Sequence, residues 1–175
     1  MIVALALLLA ATDDPRIPLT ELQLTERYRE ALVRVETELV EQPESAGDLG
    51  LHYLRGHLLE QLDRRDDAQA AFRDAMDALP ELSPYSLYRL ALHQLRLGHP
   101  EVAAGLLARL LGAGAPAPLI RPSTDLLIQA LGAGGDCNLL DRLDDWRLAA
   151  DARRALQLTR ADCELASGRG ALARS

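Results

Sequence analysis

Apolar residues recur at helical spacing over much of the chain. The clearest early example has apolar side chains at Tyr28, Ala31, Leu32, Val35 and Leu39. This period of about 3.6 residues predicts an amphipathic helix that ends near Glu41. Thr20 or Thr25 is a suitable N-cap for it, and Pro43 and Gly47 break the chain behind it.

The segment from Leu49 to Pro80 predicts two helices joined by a polar turn at 63–67. Gly56 in the first helix and Ala68 in the second are small, so the two helices can cross closely at these positions. We expect Phe72 to fill the gap toward the next helix pair, with Ala75 also at the packing surface. Pro80 ends the second helix, because proline cannot continue a helical hydrogen-bond ladder.

The same small positions recur further along the chain. From Gly56 to Ala91 and from Ala68 to Ala103 the offset is 35 residues, and Leu107 then occupies the place of Phe72. The last predicted packing positions lie 70 residues beyond this second unit. They are Ala161, Gly168 and Ala173, with Ala161 and Ala173 at the places of Ala91 and Ala103. Between these units, residues 119–151 are irregular. They predict one helix over 123–131 and then a short second helix. The Gly-rich stretch at 132–135 ends the first of these helices.

This arrangement resembles the tetratricopeptide repeat, in which a small residue in the first helix precedes A-x-x-x-F…P in the second. The resemblance implies an all-α fold, a TPR-like α-solenoid of antiparallel helix pairs over residues 13–175. Its concave side would bind peptides or partner domains. We expect the domain to be incomplete at its C-terminus, because Ser175 falls within the second helix of the last unit.

A narrower resemblance is to the N-terminal helical region of bacterial soluble lytic murein transglycosylases. The stretches at 134–143 and 153–173, together with the apolar N-terminus, look similar to that region. The resemblance implies a non-catalytic scaffold that shapes a groove or ring for peptidoglycan strands and positions a catalytic domain. The family's catalytic Glu-Ser motif has no counterpart here, since Glu44-Ser45 lacks the surrounding motif. A general TPR protein-interaction module of the cell envelope is the alternative.

The first twelve residues resemble a secretory leader. Residues 1–11 are apolar, too short to span a bilayer as a helix, and precede a polar, Pro-containing segment. This pattern favours a periplasmic or otherwise exported protein. The alternative is a first helix packed on the core of a cytoplasmic protein.

Cys137 and Cys163 are the only cysteines. In an exported chain this pair is compatible with a disulfide, which would stabilise the fold by roughly 3–4 kcal/mol. Two buried thiols that pack as small hydrophobic groups are the alternative.

Composition narrows the function classes. The net charge is −7 and all basic residues are arginines, so nucleic acid is not an expected partner. His57 and Glu60 could share a helix face, but a metal site needs more ligands. The acid pairs at 66–67 and 144–145 lie at predicted turns and are expected to be solvated. We therefore expect no catalytic residue, metal or cofactor in this chain, no stable membrane span, and protein segments or peptidoglycan strands as partners.

Overall fold

The computed structural model describes residues 27–43 and 50–166, and all regular secondary structure in these ranges is helical. The all-α prediction is confirmed, whereas the solenoid arrangement stays a prediction. The chain divides into two compact units, one up to Ser86 and one from Leu87 onward. The predicted leader, the caps at Thr20 and Thr25, the break at Gly47, and the packing positions Gly168 and Ala173 lie outside the described residues.

The helices follow one another along the chain with short connections. The first unit contains α1 (Tyr28–Glu41), α2 (Leu51–Gln61), α3 (Arg65–Ala78) and a 3₁₀ turn (Pro80–Leu82). Helix α4 (Ser83–Arg96) begins in the last residues of the first unit and continues into the second. The second unit further contains α5 (Pro100–Gly112), α6 (Ala117–Gly132), a 3₁₀ segment (Cys137–Asp145) and α7 (Ala150–Ala166).

The predicted helix pair of the first unit is present as α2 and α3. Asp63 stands between them in the left-handed region, at φ 58°. The Arg64 amide donates to the Leu59 carbonyl at 2.9 Å, which is the Schellman bond that closes a helix C-terminus. Asp67 then accepts from the Arg64 side chain at 2.8 Å. The polar turn is therefore stabilised by local hydrogen bonds.

The contact between α2 and α3 depends on the missing side chain of Gly56. A Cβ at this position would lie 2.7 Å from Cε1 of Phe72, whose ring is fully buried. Tyr53 packs on the same ring with centroids 5.4 Å apart. Phe72 thus contacts Gly56 of its own helix pair, and its role toward the next pair stays a prediction. Ala68 and Ala75 are buried as expected.

The core of the second unit contains the recurring small positions. Ala91, Ala103 and Leu107 are fully buried in one apolar cluster with residues of α6, the 3₁₀ segment and α7. Helix α6 begins at Ala117, six residues before the predicted start, and includes Pro122. Pro122 has no N–H to donate to the carbonyl of Pro118, and a proline ring crowds the carbonyl four residues before it, so α6 lacks one backbone hydrogen bond at this point.

Replacing Gly56 with Leu is expected to lower the free energy of unfolding by about 1–3 kcal/mol, because the new side chain must displace the buried Phe72 ring. Gly105→Leu is a matched control, since a Cβ on that helical glycine meets nothing within 4 Å. The control should unfold at the same or a higher denaturant concentration. Equal midpoints for both variants in urea unfolding would contradict the close contact.

Candidate binding groove

The segment after α6 forms a 3₁₀ helix because its apolar residues recur every third position. Cys137, Leu140, Leu143 and Trp146 are spaced by three, and a 3₁₀ helix has three residues per turn, so these side chains lie along one face. Leu140 and Leu143 are almost fully buried. The sequence predicted a short second helix here. The period of three was the available signal for its 3₁₀ form.

Helix α7 packs against the 3₁₀ segment and holds it in place. Arg153, Leu156, Arg160 and Cys163 recur at helical spacing and share one face of α7. The sulfur atoms of Cys137 and Cys163 are bonded to each other, with their Cα atoms 6.0 Å apart. Arg160 donates to Asp141 at 3.3 Å and to Glu164 at 3.2 Å. The start of the 3₁₀ segment is therefore joined covalently to the end of α7.

Arg153 holds the other end of the 3₁₀ segment. Its guanidinium donates to the carbonyl oxygen of Trp146 at 2.7 Å and to that of Leu143 at 3.5 Å. It also contacts Asp144 Oδ1 at 3.4 Å. A cation suits this position, because the carbonyls at the end of a helix have no partner within the helix. Arg153 thereby fixes the backbone that carries Trp146.

A groove of about 540 Å³ lies between α5 and the 3₁₀ segment. On the α5 side its surface is formed by Gly105, Ala108 and Gly112, which share one face of the helix at spacings of three and four. The lining is completed by Arg109, Asp136, Asn138, Leu139, Arg142, Asp145 and Trp146. We call the three small residues of α5 the floor of the groove; Arg109 lies on the same face of the helix.

Two hydrogen-bond donor groups line the groove at Trp146 and Arg109. Trp146 is 6% exposed, and its Nε1 lies 3.1 Å from the position that a Cβ on Gly112 would occupy. Within the described part of the chain, neither Trp146 Nε1 nor the Arg109 guanidinium has a hydrogen-bond or ion-pair partner.

The carboxylates of the groove are already engaged. Asp136 accepts from the Asn138 amide at 3.0 Å and thereby caps the 3₁₀ segment. Asp145 pairs with Arg142 at 3.4 Å, and both side chains are largely exposed. A ligand in the groove therefore meets free donors at Arg109 and Trp146.

The residues singled out in the sequence mostly form packing surfaces. Gly56, Ala68, Phe72 and Ala75 belong to the first unit, and Pro80 begins its 3₁₀ turn as the residue after α3 and Leu79. Ala91, Ala103 and Leu107 are buried in the second unit. Ala161 is exposed on α7, and its predicted partners Gly168 and Ala173 are not described. Asp145 of the acid pair 144–145 lines the groove, and Cys137 begins the 3₁₀ segment that forms one of its walls.

Other predicted candidates lie on helices α2 and α3 of the first unit. Asp66 and Asp67 are exposed in the first turn of α3. His57 Nδ1 lies 3.8 Å from Glu60 Oε2. Over residues 27–43 and 50–166 there is no group of three or more His, Cys, Asp or Glu side chains that could hold a metal ion. In the same ranges, no helix is both long and apolar enough to cross a membrane.

Comparison with known proteins gives no match to a family model, a curated protein or a solved structure. The resemblances to the tetratricopeptide repeat and to the transglycosylase scaffold therefore stay predictions from the residues that carry them.

Replacing Cys137 and Cys163 together with Ala is expected to lower the free energy of unfolding by roughly 3–4 kcal/mol, because the disulfide joins residues 26 positions apart. Urea unfolding measures this change. The wild-type chain under reducing conditions should match the double variant. Thiol titration of the oxidised chain in denaturant should find no free thiol, and two titratable thiols would rule out the bond.

Arg153→Ala is expected to destabilise the second unit by about 1–3 kcal/mol, because carbonyls of the 3₁₀ segment lose a charged donor. Arg154→Ala is the matched control. Arg154 is the next residue on α7 and is exposed, so this substitution should change stability by less than about 0.5 kcal/mol. Indistinguishable thermal unfolding of the two variants would show that Arg153 does not cap the segment.

Proposed function

We propose that this chain is a non-catalytic helical scaffold that binds an extended polymer in an exported protein. More narrowly, we propose that it is the scaffold region of a peptidoglycan lytic transglycosylase. The observation that carries the binding role is the groove between α5 and the 3₁₀ segment, which has free donors at Arg109 and Trp146. Its volume of about 540 Å³ falls in the ordinary range of ligand sites.

The arrangement of the carboxylates supports binding more than acid–base chemistry. A general acid or base must reach the reacting atom with a proton that it can give or take. Asp136 is used to cap the 3₁₀ segment, and Asp145 is paired with Arg142. These side chains stabilise the rim of the groove, which suits a surface that holds a ligand in place.

Two further observations support the narrower proposal. Disulfides persist in oxidising compartments, so the Cys137–Cys163 bond fits an exported chain. The stretches at 134–143 and 153–173, which carry the resemblance to the transglycosylase scaffold, include both cysteines and both arginines that hold the groove wall. The resemblance and the groove thus involve the same part of the chain.

A general TPR interaction module is the second candidate. It is favoured by the buried positions Ala91, Ala103 and Leu107, which recur at the offset typical of that repeat. In this case the ligand would be a segment of a partner protein.

Sedimentation with purified peptidoglycan sacculi separates the two proposals. The full chain is expected to pellet with intact sacculi and to release no soluble fragments, because binding is proposed without cleavage. The reduced chain should pellet less, since the groove wall then loses its covalent attachment to α7. A chain that stays in the supernatant would contradict the peptidoglycan proposal and favour a protein partner.

A further inference from the structure

We propose that the groove between α5 and the 3₁₀ segment binds a short extended peptide that carries a carboxylate. This inference rests on the binding role proposed above and names the chemistry that the groove would recognise.

The first argument is the charge of the free groups. A guanidinium binds a carboxylate through two parallel N–H···O bonds, and Arg109 has no ion-pair partner among the residues that the structure describes. Arg142 lines the same groove and already forms an ion pair with Asp145. A carboxylate in the groove would therefore pair with Arg109 without first breaking an existing ion pair.

The second argument is the indole N–H of Trp146. This side chain is more than nine-tenths buried, yet its Nε1 lies beside Gly112 at the edge of the groove. Nε1 is not among the fully buried unpartnered atoms of the described residues, so an acceptor on a ligand can reach it and take the place of solvent as its partner. A peptide carbonyl oxygen is such an acceptor. Because the ring is packed into the core cluster, it offers the groove an edge and no open face for stacking.

The third argument is the shape of the floor. Along the face of α5 that lines the groove, Gly105, Ala108 and Gly112 are small, and the Arg109 side chain lies between them. Seven residues of helix rise by about 10 Å. Three residues of extended peptide also span about 10 Å, at roughly 3.3 Å each. A peptide backbone can therefore lie against α5 along this stretch, with its acidic side chain toward Arg109.

The direct test uses the single tryptophan as the reporter. In the ¹⁵N-labelled full chain, Trp146 gives one indole N–H resonance, because the sequence contains one Trp. The probe is a mixture of amidated pentapeptides with Glu fixed at the centre and the other positions randomised. This mixture should shift the resonance saturably, and the matching Gln mixture should bind about tenfold more weakly or worse. Equal affinities, or no shift, would overturn the proposal.

Two pairs of variants locate the site. Arg109→Gln should weaken binding of the Glu mixture about tenfold, whereas Arg121→Gln, an exposed arginine on α6 outside the groove, should leave it unchanged. Gly105→Leu should abolish binding by filling the floor without disturbing a neighbour, and Gly132→Leu, which also meets nothing within 4 Å, should not. Retained binding in Gly105→Leu would overturn the assignment to this groove.

The sacculus assay distinguishes this inference from the proposed function. If Gly105→Leu pellets with sacculi as well as the wild type does, the scaffold proposal stands and the groove is not its peptide site. If the wild type does not pellet but the Glu mixture shifts the Trp146 resonance, the groove inference stands and the peptidoglycan proposal falls.

Discussion

The second unit depends on the attachment of the 3₁₀ segment to α7. A 3₁₀ helix has poorer hydrogen-bond geometry than an α-helix, and runs beyond three or four residues are uncommon. This one extends over 9 residues. The disulfide holds its first residue and Arg153 holds its last carbonyls, while Leu140 and Leu143 pack into the core. Because the segment forms one wall of the groove, these attachments hold that wall in place.

Helix α5 serves the core and the groove with different faces. Ala103, Ala104 and Leu107 are fully buried, whereas Gly105 and Ala108 face the groove. Small residues on the groove face allow a ligand backbone to approach, and packing on the other face keeps the helix in place. The groove that we propose as a binding site is therefore built on a helix whose other face is packed in the core, which suits a preorganised site.

The helix pair of the first unit shows how far local patterns determine packing. The resemblance to the repeat pattern predicts Gly56 and Phe72 as packing residues. It does not predict their mutual contact, because the pattern gives a residue's size and its helix face but not which neighbour its ring meets. The same limit applies to Ala161, which has the size expected of a packing residue but is exposed among the described residues.

The sequence by itself determined the all-α class, the positions of most helices, the polar turns between them and the buried small residues. These features follow from local periodicity and from the conformational limits of glycine and proline. Only the tertiary structure determined where the groove lies and which residues line it. Arg109 and Trp146 are far apart in the chain, and the segment that brings them together forms a 3₁₀ helix through contacts with α7. No local pattern specifies such contacts, because they arise from the packing of elements that are distant in the sequence.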